Sequence, residues 1–536
     1  MPDPTTPSPV TQTEPAEQTA AEVPAAPPLD VDVLVIGAGI AGVDVACRLS
    51  RHCPDVVWAV LESRDAIGGT WDLFRYPGIR SDSDMYTLGF PFRPWRGASS
   101  IATGDEIRDY VRATAHDEGV AERVHFGQQV ERLEWSSADS RWSVVSRTRD
   151  GLVRHTARFV YLATGYFSYA SGHVVDFPGQ DDFAGEVVHP QAWPHGMPVA
   201  GRRVLVIGSG ATAVTLLPAL ADEGAAHVTM LQRSPSYIAA LPSRDVVADG
   251  LRAVLPDAVA HRIVRGKNVV LSTAGYQVLR RHPEAGRRLL RRRALRRLPD
   301  GYPVDTHFAP RYDPWDQRLC VAPDGDLFDV LSDGRAQVVT GTIERFERDG
   351  IRLTSGELLE ADVVVTATGL QMQIGGGAEL VVDGEPVDLS RGHVYKGLML
   401  SEVPNVAMAV GYTNASWTLR ADLSARWFCS LLRYLDRHHL TVATPRYDEP
   451  EVGERPLLDL TSGYVQRAAH LLPRQGERRP WRVVQSYLYD VAVTRLGRID
   501  DGHLELRRGR CLGPEPAPTA APRPAGSRHP AAGRRW

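Results

Sequence analysis

Two short glycine patterns decide what this chain can fold into. Gly37-Ala-Gly-Ile-Ala-Gly42 follows a β-branched run, Val31–Ile36, and precedes a stretch with apolar Val43, Val45, Ala46 and Leu49. Gly208-Ser-Gly-Ala-Thr-Ala213 follows Val204–Ile207 in the same way. A buried parallel strand, a tight turn and a helix are what a dinucleotide-binding βαβ unit requires. The first glycine makes the turn and the second lets backbone approach a pyrophosphate. The third position, Gly42 or Ala213, lets the helix pack on the strand, and the helix N-terminus favours the anion. A chain of 536 residues is too long for one core. The expectation is an α/β protein with two Rossmann-like dinucleotide-binding domains.

The two units differ where a ribose would be read. Strand Val56–Leu61 ends at Glu62, 25 residues after Gly37, and strand His227–Leu231 leads to Gln232 and Arg233, the latter 25 residues after Gly208. A carboxylate accepts hydrogen bonds from a free ribose 2′-OH and repels a 2′-phosphate; a guanidinium pairs with that phosphate. The first unit therefore reads as an FAD or NAD site and the second as an NADPH site. Val160–Gly165 and Val363–Gly369 both end in Ala-Thr-Gly, a chain return toward the cofactor. These returns bracket the second unit, which predicts its insertion in a discontinuous first domain. The expected domains are 30–175 and 362–512 for the first and 176–361 for the second, which includes a linker and a helical insertion. Disordered tails are expected at 1–29 and 513–536, and residues 1–29 lack the basic start and apolar segment of a secretory signal.

Two longer motifs point to a family. Phe183-Ala-Gly-Glu-Val-Val-His-Pro-Gln-Ala-Trp-Pro194 lies between the units, reading as a linker by its Gly185 and two prolines. Gly68-Gly-Thr-Trp-Asp-Leu-Phe-Arg-Tyr-Pro-Gly-Ile-Arg-Ser-Asp82 follows the first. Both resemble the fingerprints of type I Baeyer–Villiger flavin monooxygenases. Trp71–Phe90 and Asn414-Ala-Ser-Trp-Thr look like the ethionamide-activating subgroup of that family. The resemblance implies FAD in the first unit and NADPH in the second. It also implies insertion of one O2-derived oxygen beside a ketone carbonyl through a C4a-peroxyflavin, giving an ester or lactone, with thioether or thioamide sulfur as a further substrate.

The same resemblance implies the site residues. Arg318 is the catalytic arginine, Asp82 balances its charge, and His189 is the hinge that couples domain rotation to the flavin. FAD is assigned to Gly37, Gly39, Ala41, Gly42, Glu62, Gly69, Thr70, Trp71, Asp82 and Val130. NADPH is assigned to Arg80, Ser81, Gly208, Ser209, Gly210, Ala211, Thr212, Ala213, Gln232 and Arg233. Other readings stand beside these. Asp82 also suits a helix N-cap before Met85–Leu88. Arg311 rivals Arg318, Val130 fits an ordinary strand, and His189 fits a buried ring bonded to backbone. A metal at His189 and His195 lacks a completing ligand cluster. Gln317 stands where the family often has a lysine for the 2′-phosphate, which predicts a milder NADPH preference.

Rival functions are weighed on residues. A flavin N- or S-oxygenase usually carries Tyr or Phe where this chain has Trp193. A disulfide reductase needs a redox cysteine pair, and cysteines 47, 53, 320, 429 and 511 form none at short spacing. They read as reduced thiols in a cytoplasm. A non-catalytic redox sensor would keep both nucleotides as structural ligands. Net charge of −4 argues against a nucleic-acid partner, and no apolar run is long enough for a membrane span. Residues 277–298 carry nine arginines and are assigned to a solvated helical face, the alternative being a basic amphipathic helix on a membrane surface.

Overall fold

The computed structural model describes residues 27–448, 455–458 and 460–509. The expected tails lie outside these except at 27–29, as does Cys511. β-branched runs at Asp30–Ile36 and Arg203–Ile207 each become the central strand of a parallel sheet, buried on both faces. In the first sheet Asp30–Ile36 lies between Trp58–Leu61 and Gly151–Leu162, with Val124–His125 and Val406–Met408 outside them. In the second, Arg203–Ile207 lies between His227–Gln232 and Val363–Thr366, with Ala336–Thr340 and Glu186–Val188 outside them. The five-strand pattern repeats, with all these pairs parallel.

Two sequence expectations change. The strand Val363–Thr366 pairs with Arg203–Ile207 and so completes the second sheet. The boundary expected between 361 and 362 therefore falls one strand too early. Each Ala-Thr-Gly return belongs to its own sheet rather than both to the first. The stretch Phe183–Pro194 is also more than a linker. Its centre, Glu186–Val188, is an edge strand of the second sheet, because Val187 and Val188 pair beside the buried Val364 and Val365.

Around this frame stand a helix and an antiparallel meander. Thr103 and Glu106 make a reciprocal capping box that starts helix Gly104–Asp117. Strands Gln129–Ser136, Arg141–Thr148 and Gly151–Leu162 then run antiparallel. The helix Ile40–His52 packs on Trp417–Arg437, where Arg48 Nε donates to buried Asp422 at 2.8 Å. The insertion comprises helices Val246–Val254, Asp257–Arg281 and Pro283–Leu295. Pro283 opens the last of them because it has no N–H for the preceding helix to use.

Candidate active site

The turns of the two fingerprints are built alike. Gly37 has φ +103° and Gly208 φ +142°, both closed to a β-carbon. A β-carbon on Gly37 would fall 2.7 Å from the Ala163 carbonyl oxygen, and one on Gly208 would fall 2.4 Å from that of Ala367. Each Ala-Thr-Gly return thus presses on the first glycine of its own fingerprint. The helices that follow start at Gly39 and Gly210 with no side-chain cap, so their first N–H groups are free to meet a pyrophosphate.

The first fold carries a formed cradle for a dinucleotide. Gly39 and Gly69 face each other so closely that a β-carbon on Gly69 would lie 2.9 Å from the Gly39 α-carbon. Glu62 is buried, and its carboxylate accepts from the Ala38 amide at 2.7 Å and the Arg64 amide at 2.9 Å. These bonds fix the carboxylate at the strand end where a ribose would lie. A cleft of about 500 Å³ runs from there, lined by Gly37, Gly39, Ala41, Glu62, Thr70, Trp71 and Val130. It continues past Arg80, Ser81, Asp82, Ala211, Thr212 and Arg318. The donor set fits FAD: glycine backbone for the pyrophosphate, a carboxylate for the ribose and the Trp71 ring as an apolar wall.

Arg318 stands where this cleft meets an apolar chamber. Its Nη1 is 3.4 Å from Asp82 Oδ2, and its Nε donates to the Thr413 carbonyl at 3.4 Å. The Asp82 carboxylate holds the guanidinium more firmly protonated than an ordinary arginine. Helix Met85–Leu88 is capped by Asp84, which accepts from the Thr87 amide, so Asp82 is left to Arg318. Arg311 is exposed and does not line the cleft. The chamber, of about 50 Å³, is walled by Leu162, Met372, Met408, Leu457, Leu472 and Trp417, with Arg318 as its cation.

The second fold is more open. Ser209 Oγ donates to the Ser234 carbonyl at 3.0 Å and braces the loop that carries Arg233. Arg233 is exposed, with no ion pair among the described residues. Gln232 is not free to read a nucleotide: its Nε2 donates to the His307 carbonyl and to Thr340 Oγ1, each at 2.9 Å. Arg80 is likewise engaged, pairing with Asp326 across the two domains through Nη1 and Nη2. Ser81 turns its hydroxyl to the Ser83 carbonyl at 2.7 Å. Gly42 and Ala213 lie behind their turns as packing positions, as the spacing predicts.

His189 ties the end of the Glu186–Val188 edge strand to the return of the same sheet. Its Nε2 lies 3.3 Å from the Gly369 carbonyl, and its Nδ1 accepts from the Gln191 amide at 3.2 Å. These roles require the neutral Nε2–H tautomer, and burial accordingly lowers its pKa. Both nitrogens face backbone, and His189 does not line the cleft. A β-carbon on Gly172 would strike the imidazole at 1.9 Å, so the ring is clamped between strand and return. His195 is exposed.

The stretch 411–420 lines the site through Trp417, and further walls come from residues outside the motifs. Tyr166 stacks on Trp417 with centroids 4.6 Å apart, and both line the cleft and the chamber. Tyr169 hydrogen-bonds Thr70, and burial pushes its phenol up to about 12. Gly375 and Gly376, both at positive φ, also line the cleft. The glycine run at 375–377 was the available signal; the tyrosines gave none, since their contacts are made across distant parts of the chain.

Comparison with known proteins agrees with this geometry. The chain is 48% identical over 478 residues to the FAD-containing monooxygenase EthA of Mycobacterium tuberculosis, covering 89% of this chain and 98% of that one. It belongs to the FAD-containing monooxygenases. The putative FAD-containing monooxygenase MymA of the same organism is 47% identical over 482 residues, covering 89% of this chain and 97% of MymA. The probable FAD-binding monooxygenase AlmA of Acinetobacter baylyi is 44% identical over 478 residues, covering 89% and 96%. A flavin-binding monooxygenase-like family model matches residues 97–246, and an NAD(P)-binding Rossmann-like model matches 35–98. The latter describes the nucleotide fold; within it Glu62 suits the free ribose of FAD. An open crystal structure of cyclohexanone monooxygenase superposes with a TM-score of 0.71 at 21% identity, covering 89% of this chain and all of that one. An oxidized steroid monooxygenase bound to NADP gives 0.70 at 20% identity, covering 90% and 100%. This monooxygenase shares their two-domain fold.

Proposed function

We propose that this FAD-containing monooxygenase uses NADPH and O2 to insert one oxygen atom beside a ketone carbonyl. The net reaction takes ketone, O2, NADPH and a proton to ester or lactone, NADP⁺ and water. The observation that carries this reading is the position of Arg318, shared by the nucleotide cleft and the apolar chamber and held against Asp82. When bound, the flavin accepts hydride from NADPH and activates O2 for transfer of one atom.

The chain's own residues supply the rest. Nucleophilic attack on a carbonyl builds negative charge on its oxygen. Arg318 is a fixed cation at that point, oriented by the Asp82 carboxylate on one side and the Thr413 carbonyl on the other. Preorganised charge of this kind needs no rearrangement as the reaction proceeds. The chamber's aliphatic walls and the stacked Tyr166 and Trp417 exclude water and hold an apolar ketone. Arg233 serves the NADPH 2′-phosphate, and Arg80 joins it by leaving Asp326. His189 is bonded to the Gly369 return of the second fold and packs its ring against Gly172 on the preceding strand of the chain. The same chamber admits a thioether or thioamide, whose sulfur builds no oxyanion and leans less on Arg318.

The test is product analysis. FAD-loaded protein is given NADPH, heavy-isotope O2 and a panel of ketones and thioethers. An ester or lactone carrying one heavy oxygen supports the proposal. Labelled sulfoxide with no ester moves the activity to sulfur alone.

A further inference from the structure

The helical insertion has an inner face that is accounted for and an outer face that is not. On the inner face of helix Asp257–Arg281, Arg265 Nη1 donates to the carbonyls of Tyr86 at 2.6 Å and Gly89 at 2.8 Å. Asn268 Nδ2 donates to Asp84 at 2.9 Å, and Val269 packs with Tyr412 and Leu419. This face docks the insertion onto the FAD domain. The outer face carries Val259, Ile263, Gly266, Val270, Ala274 and Val278, all exposed. Their spacing places them along one side of the helix. From Val259 to Val278 that side is about 30 Å long at 1.5 Å per residue.

The concentration of apolar exposure is local. Among the described residues, eleven of the eighteen exposed large hydrophobic side chains lie between 241 and 295. Isolated exposed apolar residues are ordinary, but a contiguous stripe marks a contact surface. Val246 and Val254 of the neighbouring helix are 79% and 76% exposed.

Charge identifies the partner. Residues 241–298 hold fourteen Arg and Lys against four Asp and Glu, a net of +10 in a chain of net −4, so the rest of the sequence stands at −14. Several of these cations are neutralised locally, as Arg287 is by Asp313 and Arg291 by Asp305. Others are not: Arg262, Arg281, Arg288, Arg292, Arg293 and Arg296 are exposed and have no ion pair among the described residues. By helical spacing Arg262 flanks the apolar stripe and Arg281 ends it on the same side. An apolar stripe bordered by unpaired arginines suits a lipid surface with anionic headgroups. It does not suit symmetric pairing of two copies through this face, which would bring the same cations together.

We propose that the outer face of helix Asp257–Arg281, with the arginines beside it, seats the enzyme on an anionic bilayer surface. The helix lies along the headgroup plane with Ile263 and Val270 entering the acyl boundary. No helix among the described residues is long and apolar enough to cross a membrane, and this contact is peripheral. The arginines of 277–298 are solvated, as expected, and the helix beside them adds an apolar side, which favours the alternative of a membrane-surface contact.

The experiment is vesicle flotation of the full-length, FAD-loaded protein. One set of vesicles is phosphatidylcholine alone; in the other, about one third of the lipid is phosphatidylglycerol. The proposal predicts co-flotation with the anionic vesicles only, weakened by salt. It predicts a loss of partitioning of about tenfold or more in the Ile263→Asp/Val270→Asp variant and in the Arg292→Glu/Arg293→Glu variant. Both variants change exposed positions, so flavin absorbance and melting temperature should match the parent and show that the fold is intact. No flotation with either vesicle, or equal flotation with both, overturns the proposal. So does a concentration-dependent oligomer that the Ile263→Asp/Val270→Asp variant abolishes while vesicle binding is absent.

Discussion

The two nucleotide folds share a five-strand pattern and a pinched first glycine, yet one is closed and the other open. In the first, Gly39 is packed against Gly69, and Glu62 is buried with both carboxylate oxygens committed to backbone amides. In the second, a β-carbon on Gly210 would meet nothing within 4 Å, and Arg233 stands exposed without an ion pair among the described residues. The difference matches the lifetimes of the two ligands. A resident cofactor gains from a preorganised cradle because the ordering has been met in folding. A cosubstrate that must leave after each turnover gains from a site that orders only when it arrives. The Arg80–Asp326 pair belongs to this second economy: it gives Arg80 a partner across the domains while the nucleotide is away.

The sharpest way to break the comparison is at the third position of each fingerprint. A β-carbon on Gly42 would sit 1.8 Å from the Gly37 carbonyl oxygen, whereas Ala213 is buried without strain in the second fold. Gly42→Ala should cost about 3 kcal/mol or more and yield protein without FAD, measured by flavin absorbance and melting temperature. Ala213→Gly should cost only about 1 kcal/mol and keep its FAD. Equal loss in both would remove the distinction between a closed and an open fold.

Next in size is the reading of the 2′-phosphate. Arg233→Glu should raise the KM for NADPH about a hundredfold, from the loss of a charge-assisted bond worth about 1.5–3 kcal/mol and the repulsion that replaces it. The KM for NADH and the FAD content should stay unchanged, as steady-state kinetics with both nucleotides would show. An equal change for NADH would place Arg233 outside the phosphate site. A smaller effect is expected from Asp326→Asn. Freeing Arg80 should lower the KM for NADPH several-fold, roughly 1 kcal/mol, and a rise instead would mean the pair organises the bound state.

The smallest effect is one of pH. Burial holds the His189 pKa below its ordinary value, so the folded state favours the neutral ring. Its contribution to stability is present above about pH 6.5, the unfolded value, and is lost as pH falls through the lower folded value. Thermal melts should show the linker weakening on acidification, and His189→Asn should flatten that slope. An unchanged slope would show that the neutral His189 ring does not hold this segment to the Gly369 return.

Much of this site was legible because its signals are local. Gly37 and Gly208 follow strands and precede helices, and Glu62 and Arg233 sit at equal offsets, so opposite charges stand at matched positions of the two folds. Asp82 and Arg318 were paired by family motif, and the structure brings them together across 236 residues of chain. What the sequence hid depends on distant partners. Glu186–Val188 has only three residues and becomes a strand because Val363–Thr366 offers an edge. Arg80 reads as a free cation until Asp326 is found beside it. Tyr166 and Trp417 form one wall from residues 251 apart in sequence. Most arginines of 277–298 are exposed, as a solvated face requires; the apolar side of the helix before them shows only once its inner face is seen to dock.

The most direct test of the account replaces Arg318 with alanine and measures the ratio of labelled ester to labelled sulfoxide from heavy-isotope O2. The account predicts that FAD content and NADPH oxidation persist, that ester falls by about a hundredfold or more, as loss of a preorganised oxyanion partner elsewhere costs, and that sulfoxide falls much less. Ester formed at the parental rate by Arg318→Ala would contradict it.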